Sequence, residues 1–187
     1  MVRLLSRTGE HLAAYPVSSA LSLDITWSPD GRWIIVQTDD TLLWWEVASD
    51  RVRMLPLRGA PPSYEYLRWH PSGSVLTVVS DGNLLIFDAE GELIDTSTDP
   101  EGHVIMNCIW HPISGDLITA TRDARLLWWD QHGTLLSSTK LRHPLFPQGG
   151  VGCTPFSMAW DATGTYLAAG LYDRTVQIYR LGDERAP

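Results

Sequence analysis

Ile25-Thr26-Trp27-Ser28-Pro29-Asp30-Gly31, a short apolar run, and then Asp39-Asp40-Thr41-Leu42-Leu43-Trp44-Trp45-Glu46 decide the fold, because the chain repeats this pattern four times. The second copy reads Leu67-Arg68-Trp69-His70-Pro71-Ser72-Gly73 and later Asp81-Gly82-Asn83-Leu84-Leu85-Ile86-Phe87-Asp88. The third runs from Cys108-Ile109-Trp110-His111-Pro112 through Gly115 to Asp123-Ala124-Arg125-Leu126-Leu127-Trp128-Trp129-Asp130. The fourth has Met158-Ala159-Trp160-Asp161-Ala162-Thr163-Gly164 and later Asp173-Arg174-Thr175-Val176-Gln177-Ile178-Tyr179-Arg180. The leading Trp recurs at 27, 69, 110 and 160, at spacings of 42, 41 and 50 residues. Such a period marks a repeat architecture in which each unit buries a face that its neighbour supplies. Nine Trp against three Phe is the compositional trace of one large residue being reused at fixed positions.

Each copy reads as β. Trp33-Ile34-Ile35-Val36, Val75-Leu76-Thr77-Val78-Val79 and Tyr166-Leu167-Ala168-Ala169 are short, rich in β-branched or aromatic residues, and bounded by turn formers. Turn chemistry separates them: Ser-Pro-Asp-Gly at 28–31, His-Pro-Ser-Gly at 70–73 and Asp-Gly at 81–82. Runs such as Leu42-Leu43-Trp44-Trp45 lack polar alternation, so both faces of those strands must be covered.

On these residues the chain resembles the WD40 repeat, whose blades of about forty residues are four-stranded sheets. The resemblance implies an all-β fold: a WD40-type β-propeller sector of about four four-stranded blades plus one stray N-terminal blade strand. It makes Trp45, Phe87, Trp129 and Tyr179 the structural aromatics that close each third strand. Asp39, Asp81, Asp123 and Asp173, each six positions earlier, fit the family's tight turn. The acid of the Trp-Asp pair survives as Glu46, Asp88 and Asp130, whereas the fourth copy has Arg180. A Gly-His pair stands in register once, at Gly102-His103. The family's His–Ser/Thr–Asp–Trp hydrogen-bond network is therefore expected in the third blade alone, from His103, Thr119 or Thr121, Asp123 and Trp129. Trp33 lies outside the repeated register and is expected to matter less than Trp129. The Gly-x-Leu turns (Gly91-Glu92-Leu93, Gly133-Thr134-Leu135) resemble those of bacterial WD arrays.

The segment from Val2 to Leu12 aligns with Leu84 to Ile94. The expected organisation is the end of a preceding blade and its outer strand over 1–19, then blade 1 over 20–57 and blade 2 over 58–98. Blade 3 follows over 99–140, and blade 4 over 141–187, with an inserted loop at 141–155. Rings of this family usually need seven or eight blades. The chain is thus expected to be the C-terminal part of a longer propeller, or a partial ring completed by another chain.

With 44% hydrophobic and 19% charged residues the composition is that of an ordinary soluble domain. A net charge of −8 and a pI near 5.1 repel phosphate backbones and anionic lipids, so neither nucleic acid nor membrane is an expected partner. Cys108 and Cys153 match no C-x-x-C spacing and are too few for a disulfide framework. They read as reduced thiols of a cytoplasmic protein. The N-terminal residues lack a signal-peptide apolar region, and no apolar run reaches the roughly eighteen residues of a membrane helix.

His70 and His111 suggest a metal, but they occupy equivalent turns of different copies, far apart beside the ~2 Å of a Zn–N bond. No metal and no cofactor is expected. Nor do the residues form a nucleophile elbow, a P-loop or an EF-hand, so no catalytic residue is assigned. The expected function is a non-catalytic protein–protein interaction scaffold. Its candidate contacts are Leu145 and Phe146 in the inserted loop and, as the family resemblance implies for the residue just before each turn Asp, Thr38, Ser80, Arg122 and Tyr172. The alternatives are a partial propeller that self-associates through its exposed end blades, and an enzyme or small-ligand binder with a site on the central axis.

Overall fold

A computed structural model describes residues 1–17, 22–38, 41–57, 66–130, 132–141 and 155–180, with 22 and 23 described by backbone alone. Strands β1 (Val2–Leu5) and β2 (His11–Tyr15) pair as a two-stranded half-blade. Blade 1 is β3 (Ser22–Trp27), β4 (Trp33–Thr38), β5 (Thr41–Glu46) and β6 (Arg51–Pro56). Blade 2 is β7 (Tyr66–Trp69), β8 (Val75–Ser80), β9 (Asn83–Asp88) and β10 (Leu93–Ser97). Blade 3 is β11 (Ile105–Trp110), β12 (Leu117–Thr121), β13 (Arg125–Trp129) and β14 (Leu135–Lys140). Blade 4 shows three strands among the described residues, β15 (Pro155–Trp160), β16 (Tyr166–Leu171) and β17 (Val176–Arg180). Every pairing is antiparallel between strands consecutive in sequence. The fold is all-β.

Side chains alternate across a strand, so each blade has a face toward the blade before it and a face toward the blade after. Leu42 and Trp44 of β5 point forward into a cluster with Leu67, Leu76, Val78 and Phe87 of blade 2. Leu84 and Ile86 of β9 do the same against Ile105, Cys108, Trp110 and Trp129 of blade 3. Leu126 and Trp128 of β13 meet Leu167, Met158, Trp160 and Tyr179 of blade 4. The half-blade follows this rule, with Val2, Leu4, Ala13 and Tyr15 set against Ile34, Val36, Leu43 and Trp45 of blade 1. The equivalent forward pair of blade 4, Val176 and Ile178, is 69% and 70% exposed. Of each adjacent pair at the ends of the stack only one member faces outward: Leu5 and Ile178 are exposed, while Leu4 and Tyr179 pack inward.

Trp33 departs from the sequence expectation. It is 8% exposed, stands edge-on to Trp44 at 5.9 Å, and carries the Arg32 guanidinium over its ring at 4.8 Å. Its position holds Val75 in blade 2 and Tyr166 in blade 4, yet in blade 1 it fills the same seam as the repeated aromatics. Trp33→Ala and Trp129→Ala should therefore each cost about 3–5 kcal/mol. Urea titration of the two variants checks this, and a much smaller loss for Trp33 would contradict the packing.

The turns between first and second strands clasp one blade to the next. His70 stands edge-on to Trp110 of blade 3 at 4.8 Å, and His111 edge-on to Trp160 of blade 4 at 4.6 Å. His111 Nε2 lies 3.0 Å from the Gly164 carbonyl oxygen. A Cβ on Gly115 or Gly164 would come within 2.6 Å or 2.4 Å of these rings, and both glycines have positive φ. Only glycine satisfies both demands. In blade 1 the same place is taken by Pro29 against Gly73.

Burial of the His70 ring holds its pKa below the ordinary histidine value of 6.5, against a smaller opposing contribution from the Gly115 backbone. The folded state thus binds the proton less readily than the unfolded chain. Its stability contribution is complete above the unfolded value and is lost as pH falls below it. The melting temperature should decline between about pH 7 and pH 5, a window above the carboxylate titrations. His70→Asn should flatten that decline, and an unchanged slope would exonerate His70.

Candidate interaction face

One end of each blade carries the turn between its second and third strands, and this upper end is where the sequence placed its candidate contacts. The turns come in two lengths. In blades 1 and 2 the register sets Gln37 against Leu42 and Val79 against Leu84, five apart, and in blade 2 the pairing closes at Ser80 with Asn83. In blades 3 and 4 the last pairs are Ala120 with Leu126 and Gly170 with Val176, six apart. The short form holds Asp81 and Gly82 at φ 49° and 73°, as a two-residue hairpin turn demands. The long form puts Ala124 and Arg174 at φ 67° and 72°. The extra residue decides which side chains reach the surface. Thr38 and Ser80 fall inside their strands and are buried, and Thr38 spends its hydroxyl on Thr41 within its own turn. Arg122 and Tyr172 are exposed. Asp39, Leu145 and Phe146 lie outside the described residues.

Tyr172 meets Phe156 edge-on at 5.6 Å, and the two rings are 44% and 50% exposed. Phe156 is pushed out by a β-bulge between Pro155 and Ser157 that recurs in blades 1 and 3. Its carbonyl accepts hydrogen bonds from Tyr66 Oη at 2.6 Å and Asn107 Nδ2 at 3.1 Å, tying blades 2, 3 and 4 together. Beside it a cleft of about 530 Å³ is lined by Phe156, Leu171, Tyr172, Arg174 and Val176. Neither the bulge nor Phe156 was singled out in the sequence.

The blade 3 residues of the expected network form two pieces. Trp129 Nε1 donates to Thr119 Oγ1 at 2.9 Å in the buried strand pair. Above it Thr121 Oγ1 donates to Asp123 at 2.6 Å, and His103 Nε2 lies 3.4 Å from the same carboxylate. His103 Nδ1 pairs with Asp99, whose side chain is 2% exposed and which also accepts the His103 amide at 3.0 Å. Asp99 escaped the sequence reading; its signal is the Asp-Pro-Glu-Gly-His run at 99–103, an Asp-initiated turn. Arg125 closes the group on Asp123 at 3.3 Å and Glu101 at 3.2 Å. Burial works to raise the Asp123 carboxyl, but the Thr121 hydrogen bond and the His103 imidazole outweigh it and hold the pKa below the ordinary value. In the fourth blade, Asp173 Oδ1 accepts Thr175 N at 2.9 Å and Thr175 Oγ1 at 2.6 Å. Among the described residues no group of three or more His, Cys, Asp or Glu is arranged to hold a metal ion. Likewise, among the described residues there is no helix long and apolar enough to cross a membrane.

The other third-strand aromatics find partners differently. Trp45 Nε1 donates to Asp50 Oδ1 at 2.8 Å, Phe87 needs none, and the Tyr179 hydroxyl pairs with Gln177.

Comparison with known proteins agrees with this architecture. The family model of the WD domain, G-beta repeat, matches residues 148–180. Minichromosome loss protein 1 of Schizosaccharomyces pombe is 28% identical over 158 residues, 78% of this chain and 18% of that protein. A chain of the Mitotic Checkpoint Complex superposes with a TM-score of 0.73 at 16% identity, covering 94% of this chain and 53% of that one. Residues 148–180 match a WD40 repeat, and the chain as a whole resembles WD40-repeat β-propeller proteins. The dihydro-heme d1 dehydrogenase NirN, in complex with DHE, shares the fold with a TM-score of 0.70 at 18% identity, over 93% of this chain and 38% of that one. The chain thus spans less than a fifth of its curated relative and about half or less of both structures.

Within this stack of blades Cys108 is fully buried against Thr77 of blade 2, and burial pushes its thiol up to about 11. Such a thiol is a packing group and not a nucleophile. Iodoacetamide at about pH 8 should leave Cys108 unmodified in the native chain and alkylate it in urea, read peptide by peptide in the mass spectrometer.

Proposed function

We propose that this WD40 chain is a non-catalytic protein-interaction scaffold, whose contacts centre on the long upper turns of blades 3 and 4. The observation that carries this reading is the Phe156–Tyr172 pair, half exposed beside a cleft that also holds Arg174. Tyrosine and arginine are favoured interface anchors, and a rigid stack of blades presents them without folding cost. Arg122 offers a second foothold on blade 3. The Mitotic Checkpoint Complex neighbour shows this fold working within an assembly of proteins. The dehydrogenase neighbour, at 18% identity, carries the fold alone and no reaction. In blade 3 the titratable groups Asp99, His103, Asp123 and Arg125 are spent on one another, as structural groups would be. The cytoplasmic, bacterial setting suggested by the cysteines and the Gly-x-Leu turns belongs with this reading. Arg122→Ala combined with Tyr172→Ala should lower recovery of partner proteins by tenfold or more in a pull-down, with the circular dichroism spectrum unchanged. Unaltered recovery would move the contact face elsewhere.

A second reading has its own observation. Val176 and Ile178 repeat the chemistry of three pairs that are covered by a following blade, yet stand about 70% exposed. Contiguous apolar faces of this kind mark association surfaces, each Å² being worth ~25 cal/mol when covered. The chain is then a section of a larger ring, and on its own it associates through this face. Light scattering at micromolar concentration should show a species larger than the monomer, and Ile178→Asp should dissociate it. A wild-type monomer that binds no hydrophobic dye would refute this reading.

A further inference from the structure

Each blade sets a polar side chain on its inner strand, three residues before the leading Trp. These are Asp24, Tyr66, Asn107 and Ser157, and the register stands them opposite Gln37, Val79, Ala120 and Gly170 of the second strand. Residues directly opposite in an antiparallel pair share a face, with their Cβ atoms about 5 Å apart. In blades 2 to 4 the polar member therefore meets an apolar side chain or none. Tyr66 and Asn107 reach past theirs to the Phe156 carbonyl, and a Cβ on Gly170 would come within 2.8 Å of Ser157 Oγ. Blade 1 is the one that puts two polar side chains together.

The two fare differently. Asp24 Oδ1 accepts the Ile25 amide at 2.8 Å, while Oδ2 reaches across the seam to the Leu67 amide at 3.0 Å and Arg68 Nη1 at 3.3 Å. Gln37 stands opposite Leu42, on the face that turns to blade 2, and is 0% exposed. Among the described residues neither its Nε2 nor its Oε1 has a hydrogen-bond partner. A buried amide left unbonded is costly, and such groups are nearly always satisfied by protein or by ordered water. The surroundings suit water. A carboxylate oxygen accepts two hydrogen bonds, so Asp24 Oδ1 has a place left beside the Ile25 amide. The Asp24 and Arg68 side chains are 25% and 38% exposed, which sets this pair between solvent and the buried amide. The Arg68 guanidinium already balances the carboxylate, so a neutral ligand fits there better than a cation.

We propose that the seam between blades 1 and 2 is a binding site for two ordered waters. One accepts a hydrogen bond from Gln37 Nε2 and donates to Asp24 Oδ1. The second accepts from the first and donates to Gln37 Oε1, so both halves of the amide are satisfied. At the same place the next two seams are closed by Val79 and Ala120, which belong to their apolar clusters. One seam of the stack is thus wet at its core and its neighbours are dry. The inference concerns the interior of the stack and stands apart from the interaction and ring-section readings.

Solution NMR of the full chain tests it, with the Gln37 side-chain amide assigned by its loss in Gln37→Val. The Nε2 protons should show rotating-frame cross-peaks to water, with the sign that marks molecules held longer than the protein takes to tumble. Asp24→Ala, which removes the acceptor, should weaken these peaks at least threefold. Asp95→Ala, an exposed acid on β10, should change them by less than a factor of two. A high-resolution crystal structure of the wild-type chain reads the same site, as density within hydrogen-bond distance of Gln37 Nε2 and Asp24 Oδ1 that Gln37→Val removes. An amide bonded directly to Asp24 or to another protein group, the absence of long-lived water at Nε2, or a metal ion in that density would each overturn the inference. Both wild-type readouts decide the matter even where a variant does not fold.

Discussion

The structure depends on the two-residue period of the β-strand. Because successive side chains point to opposite faces, a run such as Leu42-Leu43-Trp44-Trp45 is tolerable only if sheets stand on both sides of it. Leu42 and Trp44 go forward, Leu43 and Trp45 go back, and all four are at most 1% exposed. No blade can satisfy this alone, and so the chain stacks. Turn glycines, edge-on histidines and seam arginines are refinements of a geometry that this alternation has already imposed.

The seams are built from a few recurring contacts with local substitutions. Blades 2 and 3 reach forward with a histidine, blade 1 with a proline. Polar links are added where the seam opens to solvent: Arg68 pairs with Asp24 at 3.3 Å, and Arg53 with Glu92 at 2.8 Å. At side-chain exposures of 25% to 67% such pairs are worth little on their own. They align blades whose cohesion comes from the buried aromatics.

The repeat, the all-β class and the strand order were legible because they follow from residues that recur at a fixed spacing. What escaped was whatever differs between copies. Counting back from Trp45 and Phe87 puts Thr38 and Ser80 in the turns, whereas counting forward from the leading Trp puts them inside the strands; only the pairing register shows which count holds. The place of Trp33 is taken by Val75 in blade 2 and Tyr166 in blade 4, so a search for recurring Trp could not weigh it. Asp99 acts through a local turn that places its carboxylate under His103, and a bulge has no composition of its own. His70 and His111 read as polar turn residues because their stacking partners lie about forty positions away.

The single extra residue in two of the four upper turns has a consequence for recognition. Four equivalent blades would offer a visitor four equivalent footholds, and a bound protein could step from one to the next with no loss. Here the residue before the turn Asp is buried in two blades and projects in the other two, as arginine on one and tyrosine on the other. The rim therefore has a beginning and an end, and the pseudosymmetry that builds the stack is broken at the face proposed for contact. One inserted residue converts a repeating surface into an address.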